Sequence, residues 1–260
     1  MEIKVGDRFT TNKGGDVVVV EYVQADKIIV EFTDSNKHRV VTTKTVLLKG
    51  DIKNPFSPLL FGVGYMGVGR HKAKDGASRL GFKRIQSYSA WANMLSRCYD
   101  NNYTHPHLYK STTVHDDWHC FQTYAEWYTE ELYKTNLDGS VHVDKDILGN
   151  GSIYSPQTCS LVPAVINTLL AYKGGGKFLP GVRRSSNGLY RVMPGYDCST
   201  IRFTSEKDAH LAFVQSKSQR IKDVANDYKD RLVENVYDTL MSKDFRYKFS
   251  PLFEPEAIMA

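Results

Sequence analysis

Apolar and polar residues alternate in short runs between Ile3 and Leu48, the pattern of half-buried strands. The runs are Ile3 to Thr10, Asp16 to Val23, Lys27 to Phe32, His38 to Thr43 and Thr45 to Leu48. Turn signals separate them at Lys13-Gly14-Gly15, Gln24-Ala25-Asp26 and Asp34-Ser35-Asn36. A small SH3-like β-barrel is therefore expected over residues 1–54. Periodicity lapses over residues 55–86, which carry Pro55, Pro58 and several glycines. Gly62, Gly64 and Gly67 have the spacing of a dinucleotide fingerprint, but that motif needs a strand before it and a helix after it. Here prolines precede, and Arg70-His71-Lys72-Ala73-Lys74 follows. A flexible, basic linker lying along a polyanion backbone is the better reading.

Helical spacing returns with Tyr88, Trp91, Leu95 and Cys98, and again with Trp118, Phe121, Ala125, Tyr128 and Leu132, the second helix capped by Asp116 or Asp117. Aromatic stripes of this kind build core. From Ser140 the pattern changes. Val141 to Leu148 alternates, Gly149-Asn150-Gly151 turns, Thr158 to Val162 returns, and Pro163 opens a helix running through Ile166, Asn167 and Leu170 to Tyr172. That is a ββα unit within a helix-flanked core spanning 87–173, closed by the linker Gly174-Gly175-Gly176. Over 177–232 the hairpin signal Asn187-Gly188, strands at Leu189 to Met193 and Thr200 to Phe203, and a helix from Ser205 predict a three-stranded sheet backed by a helix. Residues 233–260 remain as a tail, and the fold class is α+β.

Composition adds little beyond confirming packed cores: 41% of the 260 residues are hydrophobic. No apolar run reaches the roughly 18 residues of a spanning helix, and Met1-Glu2-Ile3-Lys4 leads straight into strand-like sequence without a signal peptide. A soluble intracellular monomer without membrane association is expected. Four cysteines stand far apart with no CxxC pair, which argues against a disulfide framework. Charge changes the picture more. Residues 68–110 carry eight Lys/Arg against two Asp/Glu, 111–176 three against eight, and 177–222 nine against three. Basic blocks flanking an acidic centre suit a protein that grips a polyanion and holds cations between the grips, although solvated faces produce the same patchiness.

Four stretches then carry a resemblance: Trp91 to Tyr99; Val114-His115-Asp116-Asp117-Trp118; Val143 to Leu148 with Tyr154 to Cys159; and Gly181 to Arg184 with Asn187 to Val192. In this order, over roughly residues 88–215, the chain resembles phage and homing endonucleases of the His-Asn-His class that carry a plant ethylene-response-factor-like (Apetala-type) DNA-binding domain. The resemblance implies a ββα-metal nuclease core that hydrolyses DNA phosphodiester bonds in the host cytoplasm, with Asp144 and Asn167 holding Mg²⁺ or Mn²⁺, ions suited to hard oxygen donors. Where that family has its catalytic histidine this chain has Lys145, with Asp146 beside it as a further catalytic candidate. Lysine ionises near 10.4 and would have to fall by about three units to act as a base. Strand alternation puts His142 on the same side as Asp144 and makes it the alternative base. Cys98, His115 and Cys159 fall where the resembling proteins often have cysteines. A structural zinc, with Cys120 as a further ligand, competes there with buried free thiols. Arg183, Arg184, Tyr190, Arg191 and Arg202 match the face by which the family's sheet meets double-stranded DNA, through guanine edges or phosphates. Two other functions stay open: a catalytically inactive DNA-binding regulator on the same scaffold, and a protein-interaction module acting on a host factor.

Overall fold

The computed structural model describes residues 2–75, 83–137, 140–171 and 176–253. The expected helix end at Tyr172, most of the glycine linker after it and residues 76–82 of the basic linker lie outside these. The chain forms two compact units, Met1–Glu130 with Gly151–Ser155, and Glu131–Asn150 with Pro156–Ala260. Both mix helix and strand, and no described helix is long and apolar enough to cross a membrane.

In the first unit β1 (Arg8–Thr10), β2 (Asp16–Gln24), β3 (Lys27–Phe32) and β4 (Arg39–Thr42) form an antiparallel sheet in sequence order. The alternation seen in the sequence pairs Val17 with Phe32 and Val19 with Val30, and all four are buried with Ile3, Ile28, Leu47 and Ile52. Two expectations are corrected here. No pairing among the described residues closes the sheet, so it is open rather than a barrel. The expected fifth strand is instead α1 (Lys44–Leu48), because the Thr43 side chain accepts from the Val46 amide as a helix cap.

β5 (Lys74–Asp75) and β6 (Lys83–Arg84) pair as a short ladder before α2 (Gln86–Tyr99). β7 (Thr113–Val114) leads into a 3₁₀ turn at Asp116–His119 and then α3 (Phe121–Thr135). Asp116 and Asp117 thus belong to that turn rather than capping the helix. The aromatic stripes are core, as their spacing predicts: Trp91 and Phe121 pack at 5.3 Å, Trp118 and Trp127 at 4.5 Å, and Trp91 Nε1 donates to the Trp118 carbonyl at 2.7 Å.

The glycine-rich stretch is anchored, not a free linker. Tyr65 exchanges backbone hydrogen bonds with His119 and Phe121. The Gln122 side chain bonds the His71 backbone twice, at 2.9 and 3.0 Å, and Glu126 takes both Arg70 and His71 as ion-pair partners. A side chain at Gly67 would run into Cys120 Sγ, so glycine is what permits this close approach.

The second unit opens with β8 (Val141–Asp144). After β9 (Ile153–Tyr154), which pairs in parallel with β7 in the first unit, the chain enters β10 (Ser160–Pro163) and α4 (Ala164–Leu170). β8 and β10 are antiparallel, with Asp144 opposite Ser160 and His142 opposite Val162. β11 (Val182–Arg184) and β12 (Tyr190–Val192) form the hairpin that Asn187-Gly188 announces, Gly188 taking φ +83°. The third strand expected at 200–203 shrinks to a single bridge between Tyr190 and Phe203, because a 3₁₀ turn occupies Asp197–Thr200. α5 (Glu206–Asp227), α6 (Glu234–Ser242) and α7 (Arg246–Phe249) follow. One core joins Ile147, Val162 and Ile166 of the ββα segment to Val192 of the hairpin, Phe213 of α5, Leu240 of α6 and Phe249 of α7. Residues 233–249 are therefore structural, and the ββα segment and the hairpin share their interior.

Candidate functional site

β8 ends at Asp144, and the chain turns there because one carboxylate oxygen caps it. Asp144 Oδ1 accepts from the amides of Asp146 at 2.9 Å and Ile147 at 2.8 Å. The residue is only 5% exposed. Burial pushes its carboxyl above the ordinary aspartate range and the Asp146 charge adds to this, while the two amides and Lys248 pull the other way. Oδ2 makes no hydrogen bond among the described residues. The geometry is that of a carboxylate clamped through one oxygen, with the other left without a hydrogen bond among the described residues.

The remaining expected catalytic residues are arranged differently from a simple strand reading. His142 is exposed although it shares a strand face with Asp144, and its Nδ1 stands 3.0 Å from Asn167 Nδ2 of α4. With the amide nitrogen donating, the imidazole proton sits on Nε2. A half-turn of the amide presents Oδ1 to Nδ1–H and leaves Nε2 as the proton acceptor. The structure thus joins Asn167 to His142, a pairing that strand and helix periodicity do not reveal. Lys145 is 11% exposed at its side chain and donates to Asp146 Oδ1 at 2.8 Å. An ammonium engaged in this way offers no lone pair to a water molecule.

Metal-ligand candidates elsewhere are dispersed. Among the described residues no three of His, Cys, Asp and Glu stand together as a group that could hold an ion. Cys98 and His115 belong to the first unit and Cys159 to the second, and the four cysteines form no disulfide among the described residues. His115 Nδ1 accepts from the Asp117 amide at 3.4 Å and so caps the 3₁₀ turn. Asp144 would offer a cation its second carboxylate oxygen, a hard donor of the kind Mg²⁺ and Mn²⁺ take.

The expected DNA-binding residues cluster on the hairpin. Arg183 lies directly opposite Arg191, and Arg184 opposite Tyr190, whose ring the Arg184 guanidinium overhangs at 5.7 Å. Val182 and Val192 face the core, so alternation turns the Arg183/Arg191 pair to the other face. Arg191 is half-buried, and its Nε is shielded without a hydrogen-bond partner. Arg202 bends back onto backbone carbonyls, the Thr200 oxygen at 2.9 Å, and so braces the 3₁₀ turn.

Several side chains near these sites escape sequence reasoning. His210, fully buried on α5, bonds Pro180 O at 2.8 Å and Ser250 Oγ at 2.7 Å. Lys217, also buried, donates to Ala171 O at 3.0 Å with its ammonium 3.9 Å from the Phe249 ring centre. Both hold the last helix to α5. Comparison of the chain with protein-family models, with curated proteins and with solved structures returned no match.

Proposed function

We propose that the chain is a metal-dependent DNA endonuclease of the ββα-metal, His-Asn-His type, gripping duplex DNA with the β11–β12 hairpin and hydrolysing a phosphodiester at Asp144. The observation that carries this reading is Asp144 itself: a buried carboxylate at the end of the first strand of a ββα unit, anchored through Oδ1 and, among the described residues, unbonded at Oδ2. When bound, Mg²⁺ or Mn²⁺ would supply Lewis-acid stabilisation of charge on the phosphate oxygens. Asp144 would hold the ion. Asn167 orients His142, and His142 Nε2 removes a proton from water. Lys145 and Asp146 neutralise each other and keep the turn after β8 in place. The cross-strand arginines supply phosphate and base contacts on the hairpin face. The engagement of Lys145 with Asp146 also favours a second reading, a DNA-binding regulator that has lost catalysis.

Supercoiled plasmid incubated with Mg²⁺ or Mn²⁺, and with chelator as control, separates the two. Asp144→Ala is expected to abolish cutting while DNA binding persists. His142→Ala should slow it by about 10²–10⁴-fold, the usual contribution of a general base. Lys145→Ala should slow it much less. Tight DNA binding without metal-dependent cleavage would transfer the assignment to the regulator.

A further inference from the structure

The turn after β8 faces the last helices of its own unit. Asp146, Gly149 and Asn150 on one side, and Lys243, Asp244, Tyr247 and Lys248 on the other, line an open groove of about 400 Å³. Lys243 Nζ donates to the Asp146 carbonyl at 3.1 Å, which fixes its ammonium at the groove wall.

Two lysines and two aspartates line the groove. Asp146 is already paired with Lys145, and Asp244 with the Arg246 guanidinium at 2.6 Å. Neither Lys243 nor Lys248 has an ion-pair partner among the described residues. Burial first, then Lys248, hold Lys243 below the usual lysine range, while Asp144 and Asp146 act the other way. An anion in the groove would face both ammonium groups. The groove is open and lined by a tyrosine 39% exposed, which suits one group of a long chain better than an enclosed metabolite.

We propose that Lys243 and Lys248 form a phosphate-binding groove that takes a backbone phosphate of the DNA strand engaged at Asp144. The choice of DNA as the source of that phosphate rests on the endonuclease reading above. The inference extends the site to two residues beyond position 240, on a segment whose sequence carries no recognisable motif.

The test uses the full chain and a fluorescent DNA duplex titrated over a salt series. Lys243→Gln and Lys248→Gln should each lower the slope of log affinity against log salt by about one, uniformly across sequences, as the loss of one phosphate contact requires. The Lys248 side chain makes no hydrogen bond among the described residues, so its variant keeps the test valid even if Lys243→Gln disturbs the fold. In a parallel arm, inorganic phosphate should raise the melting temperature of the wild type and not of the double variant. DNA binding with an unchanged slope and no phosphate effect overturns the groove. An unchanged slope with a phosphate effect overturns DNA as its occupant and leaves a free-phosphate site. Absence of DNA binding by the wild type overturns the endonuclease reading instead, and the phosphate arm then decides the groove by itself.

Discussion

Replacing Arg183 by glutamine should move stability and DNA affinity in opposite directions. Arg183 and Arg191 are direct cross-strand partners in the hairpin, flanked by the buried Val182–Val192 pair. Opposed side chains on one face have Cβ atoms about 5 Å apart, and like charges there destabilise by roughly 0.2–1 kcal/mol. A Coulomb figure agrees: guanidinium groups splayed to roughly 8 Å in water repel by about 0.5 kcal/mol. Removing one charge should therefore tighten the hairpin. The three tryptophans, Trp91, Trp118 and Trp127, all lie in the first unit, so fluorescence would report the wrong part of the chain. Native-state hydrogen exchange of the Met193 amide, which donates to Gly181 O at 2.8 Å across the hairpin, reads the right one. That amide should exchange about two- to five-fold more slowly in Arg183→Gln. A lost phosphate contact should meanwhile reduce the salt slope of DNA binding by about 0.9, so the wild type's advantage shrinks roughly threefold when salt is raised fourfold. Faster exchange at Met193, or an affinity loss equal at all salt concentrations, would refute the assignment of this pair to a phosphate-facing surface.

Asp144→Asn should stabilise the apo protein at neutral pH, because asparagine Oδ1 still accepts both turn amides without a buried charge. The native pKa of Asp144 is raised, so its favourable contribution is present below the ordinary aspartate range and is lost as pH rises through the raised value. The melting-temperature difference between variant and wild type should open over that window, and a less stable variant at neutral pH would contradict it. Glu126 behaves in the opposite sense: the His71 hydrogen bond first, then Arg70, hold it below the ordinary glutamate range. Its contribution is present above that range and lost as pH falls through the lowered native value. Glu126→Gln should melt earlier than wild type at neutral pH and converge with it in acid, as followed by fluorescence of the adjacent Trp127; a gap that persists in acid would count against the ion pairs.

Local pattern made part of this legible. β2 and β3 follow from alternation, α2 and α3 from aromatic spacing, and the hairpin from Asn187-Gly188, because each depends on residues within a few positions of one another. Asp144 and Asn167 stood out through the resemblance of the ββα segment to His-Asn-His endonucleases, and His142 through its strand alternation with Asp144. The misses share a cause. The glycine-rich stretch is held by Gln122, 51 positions away from the His71 backbone it bonds, and no periodicity encodes such a contact. α1 was hidden because Thr45-Val46-Leu47-Leu48 has strand composition and only the Thr43 cap decides otherwise. For α6 and α7 a signal existed, since Val236 and Leu240, and Phe245 and Phe249, are each spaced by one helical turn. The acidic balance of residues 223–260, eight carboxylates to five cations, obscured it. The opposite exposures of His142 and Asp144 were not readable either, because the strand ends at Asp144 and the carboxylate folds into its own turn.

The interior shared by the ββα segment and the hairpin also has a consequence for where DNA would be cut. Val162 and Ile166 of the ββα segment and Val192 of the hairpin belong to one packed cluster. On the proposed reading, gripping and cutting elements are therefore set at a fixed offset along the duplex. A nuclease with these parts on a tether scatters its breaks over several base pairs around a bound sequence. One built on a common interior leaves a single, reproducible end.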